Sequence, residues 1–225
     1  GMLFMVWRLL DTGTTTVKLA CLAVVATLPS GVYFHATFPM SLTVLLALAT
    51  FALLVRGRWA LAGLTAGLAA TAYPLGVLLA PTALVFLLAG AAKPDRWAGR
   101  TLAKAAYVGG MTGGGALAVF GLLQLTTGRY DAGLQIQRNY GNGVHNPLAS
   151  FLTVLDQHPL AVDAQMLFVV CLAVVALVAL RKAAVRGVAT PLDWALATVY
   201  GPLVVIVPLI IGPNQAQYRS HTLLV

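Results

Sequence analysis

Long apolar runs separated by short polar connections dominate the sequence. Runs close to the roughly 20 residues that cross a bilayer as a helix recur along the chain. The pattern predicts single helices over residues 17–34, 41–55, 105–123, 166–180 and 194–211. The run from Trp59 to Ala92 is too long for one span and contains Pro74 and Pro81, which predicts two helices that meet near Tyr73. The predicted fold is all-α, a polytopic transmembrane helical bundle.

One long polar segment, from Gln124 to Gln165, interrupts this pattern. Within it, Tyr130 to Tyr140 has the spacing of a short helix lying in the membrane interface. Asn142-Gly143 and Asn146-Pro147 are turn signals. Phe151 to Leu155 is a second apolar patch, which we expect to rest on the bilayer. The bundle is therefore expected to carry a long outer loop, residues 124–165, with a short interfacial helix.

Composition and charge placement agree with insertion into a membrane. The chain is 60% hydrophobic and 9% charged, whereas about a quarter of the residues in a soluble domain are charged. Most of the net charge of +8 lies in clusters between apolar runs: Arg56 and Arg58; Lys93, Arg96, Arg100 and Lys104; Arg181, Lys182 and Arg186. No basic face carries interleaved aromatic residues, which excludes nucleic-acid binding.

The basic clusters also predict a topology. Cytoplasmic loops of inserted proteins are rich in Lys and Arg. With the clusters in the cytoplasm, only Arg129, Arg138 and Arg219 of the 14 Lys and Arg residues lie on the outer side. The predicted location is the cell membrane, with several passes, the basic loops cytoplasmic and the 124–165 loop outside.

Glycines and cysteines inside the apolar runs are expected to serve packing. Small residues allow helices to approach closely in lipid, and we expect this of Gly109, Gly110 and Gly113–Gly115. Cys21 and Cys171 lie in apolar runs without metal-ligand spacing, so they are predicted to be buried packing thiols. Both ends of the sequence fall within apolar runs. We therefore expect residues 1–225 to be one membrane domain of a longer protein, cut within a helix at each end.

Candidate chemistry is confined to the outer face. The candidate reactive groups of the loop are Gln137, Arg138, Asp131, His145, Asp156, His158 and Asp163. Each of these is also explained as a solvated loop side chain. Arg219 follows an apolar run and suits a phosphate group, which Arg can grip with two hydrogen bonds; ordinary positive charge at a helix end is the alternative. The histidines are too far apart to predict a metal site, and no cofactor motif is present.

Three stretches resemble the GT-C class of polytopic glycosyltransferases, most closely the bacterial relatives of the GPI second-mannose transferase family. The first stretch contains three segments that are similar to motifs of this family. The family motif Y-x-E-S-L is similar to His35-Ala-Thr-Phe-Pro-Met-Ser-Leu, and R-G-R-W-x-L-A-G-L is similar to Arg56-Gly-Arg-Trp-Ala-Leu-Ala-Gly-Leu. The motif R-P-T-G is similar to Tyr73-Pro-Leu-Gly. Gln135-Ile-Gln-Arg-Asn-Tyr-Gly with Asn146-Pro147 is similar to Q-x-x-W-G … N-P. Gln217-Tyr-Arg219 resembles a C-terminal R-Y element. The chain departs from the pattern at Met40, where the family has Glu, and at Tyr73, where it has Arg.

The resemblance implies transfer of a sugar, mannose first of all, from a polyprenyl-phosphate donor to an acceptor on the outer face. It implies an inverting displacement with a carboxylate base from a first outer loop expected before Gly1, so the catalytic residue is unknown. The implied substrate-binding residues are Arg219, Tyr218, Gln137, Arg138, Tyr140, His35 and Tyr73. Membrane lipid, the lipid-linked sugar and an unknown acceptor are the expected partners. No metal or cofactor is expected.

Two other readings of the sequence stay open. A lipid or small-solute transporter or flippase should show internal repeats and ionisable residues within its spans, and the sequence shows no convincing repeat and almost no charge in its apolar runs. A non-catalytic membrane assembly subunit needs no reactive loop, so its loop residues should be freely exchangeable. Assaying sugar transfer from polyprenyl-phosphate-mannose separates the three readings.

Overall fold

The computed structural model describes residues 14–16, 18–19, 22–23, 39–90, 97–139, 143–157 and 160–211. Every regular element in these ranges is helical, so the all-α prediction is confirmed. The predicted helix over residues 17–34 lies almost entirely outside the described residues. The helices are α1 Pro39–Val55, α2 Trp59–Ala72, α3 Leu79–Ala89, α4 Leu102–Thr127, α5 Ala132–Asn139, α6 Pro147–Gln157, α7 Leu160–Val185 and α8 Pro191–Ile211.

Two basic turns end helices in the same way. At the end of α1, the Arg58 amide donates to the Leu53 carbonyl at 2.8 Å and the Gly57 amide donates to Leu54 at 2.9 Å. Gly57 has a φ of +70°, which glycine adopts without steric cost. The same 6→1 and 5→2 bonding ends α7 around Gly187, which also has a φ of +70°. The glycines in these clusters therefore end helices between basic residues.

The predicted break between α2 and α3 is confirmed. Tyr73 is extended, with φ −153° and ψ 140°, as expected of a residue before proline. A 3₁₀ turn, Pro74–Leu78, then leads into α3. A methyl group added at Gly76 would overlap the carbonyl of Ala69, so the turn packs directly on the α2 backbone. The chain thus changes direction where the sequence supplies a proline and a small residue.

Helix α2 lies between α1 and α4 at the centre of the core. Ala62, Ala66 and Ala69 have no exposed surface, because short side chains let the neighbouring helices approach. On the α4 side, a methyl group added at Gly63 would lie 2.7 Å from the Tyr107 ring, and one added at Gly67 would lie 2.7 Å from the Met111 carbonyl oxygen. Residue numbers increase in the same direction along both helices at this contact, from Gly63 beside Tyr107 to Gly67 beside Met111. α2 and α4 are therefore parallel.

Several helix ends meet at one end of the molecule, which we call the basic end. Trp59 at the start of α2 packs edge-to-face on Tyr107 near the start of α4, with ring centroids 5.4 Å apart. Gly90, after α3, lies beside Pro191, the first residue of α8. α3 also contacts the π-helical turn Trp97–Thr101 that precedes α4. The described basic residues at this end are Arg56, Arg58, Arg100, Lys104, Arg181, Lys182 and Arg186.

The glycine prediction for α4 is mostly wrong. Among the α4 glycines named above, only Gly115 contacts a neighbouring helix, at the backbone of Gly67. Gly109, Gly110, Gly113 and Gly114 face open space within the described part of the chain. The reason is geometric, because α2 covers the face of α4 that carries Met111 and Gly115, and the other glycines point away from it. The prediction for Cys171 is also wrong, since its side chain is exposed on α7.

Two described helices are long and apolar enough to cross a membrane. They are Gly99–Thr127, which includes α4, and Pro191–Ile211, which is α8. Only 11% of the apolar window of the first is buried, whereas a core helix of a soluble protein would be mostly covered. Helices α1, α2 and the run Pro74–Ala89 are apolar but shorter. These helices suggest membrane association, and the polytopic arrangement stays a prediction.

Candidate functional site

The opposite end of the molecule, which we call the loop end, carries the polar segment 124–165. This segment is not an extended loop, because most of it belongs to helices. α4 continues to Thr127 and α7 begins at Leu160, so both helices extend further into the segment than the sequence predicted. Between them lie the short helices α5 and α6. The loop end is therefore mostly helical, with a short connection between each of α4, α5, α6 and α7 and the next.

Helix α5 confirms the short helix predicted between Tyr130 and Tyr140. Its first turn is organised by Asp131, whose carboxylate accepts a hydrogen bond from Gln135 Nε2 at 2.9 Å. The same carboxylate lies 3.4 Å from Arg129 Nε. An acidic group next to a helix N-terminus also interacts favourably with the helix dipole. Asp131 is thus engaged in local structure.

The connection from α5 to α6 is fixed to the end of α8. The Gly143 amide donates to the Ile211 carbonyl at 2.9 Å, and the His145 amide donates to the Ile210 carbonyl at 2.8 Å. The last carbonyls of a helix have no partner within the helix, and leaving them unpaired near hydrocarbon costs several kcal/mol each. The segment 143–145 supplies those partners. The connection between α5 and α6 is therefore held against the end of α8.

Helix α6, which follows this connection, is held by a cap at its first turn and by packing against α8. Asn146 Oδ1 accepts hydrogen bonds from the Leu148 amide at 2.9 Å and the Ala149 amide at 3.4 Å, and Pro147 occupies the first helical position. These are preferred residues for a helix start. Phe151 packs with Val205 and Leu209 of α8. Asn146-Pro147, which was predicted as a turn signal, therefore begins a helix, with Asn146 as its cap.

The apolar patch predicted at Phe151 to Leu155 needs correction. Phe151 is directed at α8 and helps to form a small core cluster, because α6 lies against that helix. Leu148 and Leu152 occupy the outer face of α6, with 65% and 57% of their surface exposed. Among the described side chains of α6, Leu148 and Leu152 rather than Phe151 are therefore the exposed large apolar residues, and their contact with a bilayer stays a prediction.

An exposed apolar rim surrounds the loop end. Leu134 and Ile136 of α5 are about half exposed, and Val144 in the connection is 93% exposed. Large apolar side chains at such exposure are typical of surfaces that contact lipid or another protein. Together with the amphipathic sequence of α5, this rim indicates an interfacial position.

The predicted site residues divide into those that the structure describes and those it does not. Arg138 is exposed in the last turn of α5. Gln137 belongs to the same helix, but its side chain lies outside what the structure describes, as do Tyr140, His35, Tyr218 and Arg219. Tyr73 is partly buried and packs against the main core cluster. Arg138 and Tyr73 are therefore the predicted site residues whose side chains the structure describes, and no described contact joins them.

Met40 and Tyr73, the two departures from the GT-C pattern, share one environment. Met40 is 1% exposed and belongs to the core cluster against which Tyr73 packs. An isolated charged side chain at a position as enclosed as that of Met40 would carry a large desolvation cost. The apolar side chain of Met40 therefore suits this enclosed position.

Sequence reasoning missed two features of the loop end. The first is the attachment of the 143–145 backbone to α8, which leaves no trace in side-chain identities. The second is Ser150, which is 2% exposed and whose Oγ has no hydrogen-bond partner among the described residues. The capping role of Asn146 could have been predicted from the sequence, because Asn followed by Pro is also a signal for the start of a helix.

The attachment to α8 predicts different outcomes for two substitutions at His145. His145→Pro removes the backbone donor to Ile210, whereas His145→Ala keeps it and trims an exposed side chain. Losing one such bond costs about 1 kcal/mol, so the local opening of this segment should rise about fivefold in His145→Pro. Limited proteolysis between α5 and α6 measures this opening. Equal cleavage of the two variants would contradict the proposed attachment.

Comparisons of the chain with protein-family models, curated protein sequences and solved structures each find no significant match. Among the described residues, no three His, Cys, Asp or Glu side chains cluster as metal ligands would. The expectation that the protein uses no metal stays a prediction from the sequence. A function can therefore be proposed only from the geometry of the loop end and from the resemblance in sequence.

Proposed function

We propose that the protein is a polytopic membrane glycosyltransferase that moves a sugar, in the first instance mannose, from a polyprenyl-phosphate donor to an acceptor at the loop end. The observation that carries the proposal is the attachment of residues 143–145 to Ile210 and Ile211. It places Asn146-Pro147 beside the end of α8, and in the sequence Arg219 follows Ile211 by eight residues. One binding site would require these two stretches to meet.

The proposed topology follows from the charge at the two ends. Arg56, Arg58, Arg100 and Lys104 belong to the basic end, which we assign to the cytoplasm. The loop end is then outside, and its apolar rim lies at the water–lipid boundary. A lipid-linked sugar places its phosphate at this depth, with its polyprenyl chain in the hydrocarbon. The exposed α4 supports this arrangement, because its apolar surface needs a lipid environment.

In the proposed site, Arg219 holds the donor phosphate. Arg138, exposed in the last turn of α5, together with Gln137 and Tyr140, shapes the sugar and acceptor site, with His35, Tyr73 and Tyr218 as further lining residues. An acceptor hydroxyl attacks the anomeric carbon, the bond to the phosphate oxygen breaks, and a carboxylate takes the hydroxyl proton. Asp131 is paired with Arg129 and Gln135, so we leave the base unassigned.

A transfer assay tests the proposal against the alternatives. Membranes that contain the intact protein are given polyprenyl-phosphate-mannose with labels on both the sugar and the lipid. A transferase moves the sugar label to a new product and releases unglycosylated polyprenyl phosphate. A flippase moves the intact donor across the bilayer without separating the labels, and an assembly subunit does neither. Translocation without transfer would overturn the proposal.

A further inference from the structure

The basic end contains a hollow that the proposed sugar transfer does not use. It is lined by Trp59, Arg100, Ala103, Lys104 and Tyr107 and has a volume of about 410 Å³. We call it the basic–aromatic hollow. Two helices build it, since Trp59 begins α2 and the other residues belong to α4 or to the π-helical turn before it. It therefore depends on the packing of α2 against α4.

Glycine makes this packing possible. A methyl group added at Gly63 would lie 2.7 Å from a ring carbon of Tyr107, closer than such atoms approach. The missing side chain lets the Tyr107 ring lie across α2, where it meets Trp59 edge-to-face at 5.4 Å and 87°. Such aromatic pairs are favoured beyond the area they bury. The aromatic wall of the hollow is thus held in place by the α2–α4 contact.

The charges at the hollow are available for a ligand. Arg100 is exposed and Lys104 is half-buried, and neither forms an ion pair with any residue in the described ranges. Asp193 also lies at the basic end, but its carboxylate accepts hydrogen bonds from the Thr190 amide at 2.8 Å and the Thr190 hydroxyl at 2.7 Å. The local charge of the hollow is therefore positive, and an anion would balance it.

We propose that the basic–aromatic hollow binds the phosphate headgroup of an anionic phospholipid in the cytoplasmic leaflet. Arg100 and Lys104 are four residues apart, so they project from the same side of the helical chain. Trp and Tyr are enriched at the membrane–water boundary, and here they form an apolar wall beside the two cations. Basic pockets between membrane helices on the cytoplasmic side suit lipid headgroups. The phosphate meets the cations while the first acyl carbons lie on the rings.

A second basic hollow offers a matched comparison. It is lined by Val178, Arg181, Lys182, Val185 and Arg186. All of these except Arg186, which follows directly, belong to α7, so a single helical stretch makes it, and it has no aromatic wall. Loss of two cations there removes the same net charge from the same end of the molecule. It therefore separates a specific headgroup site from general attraction to an anionic surface.

The test measures lipid retention by the intact protein with native mass spectrometry, using phosphatidylglycerol and phosphatidylcholine as probes. In a headgroup site, each charge-assisted hydrogen bond from a cation to the phosphate contributes about tenfold or more to binding. Arg100→Gln with Lys104→Gln should therefore weaken phosphatidylglycerol binding roughly 100-fold. Arg181→Gln with Arg186→Gln should leave it within about twofold of the unchanged protein. Lys104→Arg, which keeps the charge, should retain the lipid.

Three outcomes would overturn the inference. The first is equal retention of phosphatidylglycerol and phosphatidylcholine by the unchanged protein, which needs no variant and so does not depend on correct folding of one. The second is an equal loss of retention in both double variants, which would indicate general electrostatics. The third is displacement of the lipid by millimolar inorganic phosphate, which would indicate a site for a free anion. The hollow lies at the end opposite to the proposed transfer site, so failure of either proposal leaves the other standing.

Discussion

Gly115→Ala should destabilise the protein by about 3 kcal/mol, while Gly114→Ala should be neutral or stabilising. A methyl group at Gly115 would overlap the backbone carbonyl of Gly67. Backbone cannot rotate away as a side chain can, so α2 and α4 would have to separate along their whole contact. At Gly114 there is no described atom within 4 Å, and alanine improves helix propensity by up to about 1 kcal/mol.

The free energy of unfolding in bilayers or mild detergent is the measurement for this pair. Adjacent positions on one helix make the comparison sharp, because sequence context and helix propensity are the same and only the direction of the added methyl group differs. A loss of stability at both positions would show that a neighbour covers the Gly114 face. Equal stability at both would contradict the α2–α4 contact itself.

Arg219→Ala should lower sugar transfer by about 100-fold or more. Hydrogen bonds to a charged group contribute about 1.5–3 kcal/mol, and a guanidinium that grips a phosphate makes two of them. Arg219→Lys should keep part of the activity, because a lysine supplies the charge without the planar pair of donors. The donor concentration that gives half-maximal rate should rise in both variants if the residue binds the donor before the reaction.

Arg181→Ala is the control for the Arg219 variants. It removes the same charge from an exposed position at the end of α7, and it should leave transfer within about twofold. Undiminished turnover by Arg219→Ala, in a preparation that transfers sugar with the unchanged sequence, would remove Arg219 from the site. A comparable loss in both variants would point to total charge rather than to phosphate binding.

Much of the local structure followed from the sequence. The break at Tyr73 was predictable because Pro74 removes a backbone donor and restricts the residue before it. The short helix α5 was predictable from its spacing, and the all-helical class from the apolar runs. These features depend on interactions within a few residues. Helix ends were less accurate, since α4 and α7 extend several residues beyond their apolar runs.

The candidate site was only partly predictable. Arg138 was expected to face water and is exposed in the last turn of α5; the outer side stays a prediction. Tyr73 is partly buried against the core, a position that local sequence does not reveal, and its predicted role at the substrate stays a prediction. Asp131 appears in the sequence as a free carboxylate and in the structure as the partner of Arg129 and Gln135.

The sequence alone determined where helices form, where they break, and which connections carry positive charge. These outcomes depend on periodicity, on proline and glycine geometry, and on residues a few positions apart. Only the tertiary structure decided that Gly115 touches Gly67 while Gly114 faces open space, and that the amides of Gly143 and His145 complete the end of α8. Contacts between residues so distant in the chain depend on how helix faces pack and on the need of each backbone carbonyl for a donor. Neither requirement can be inferred from the identity of a single residue.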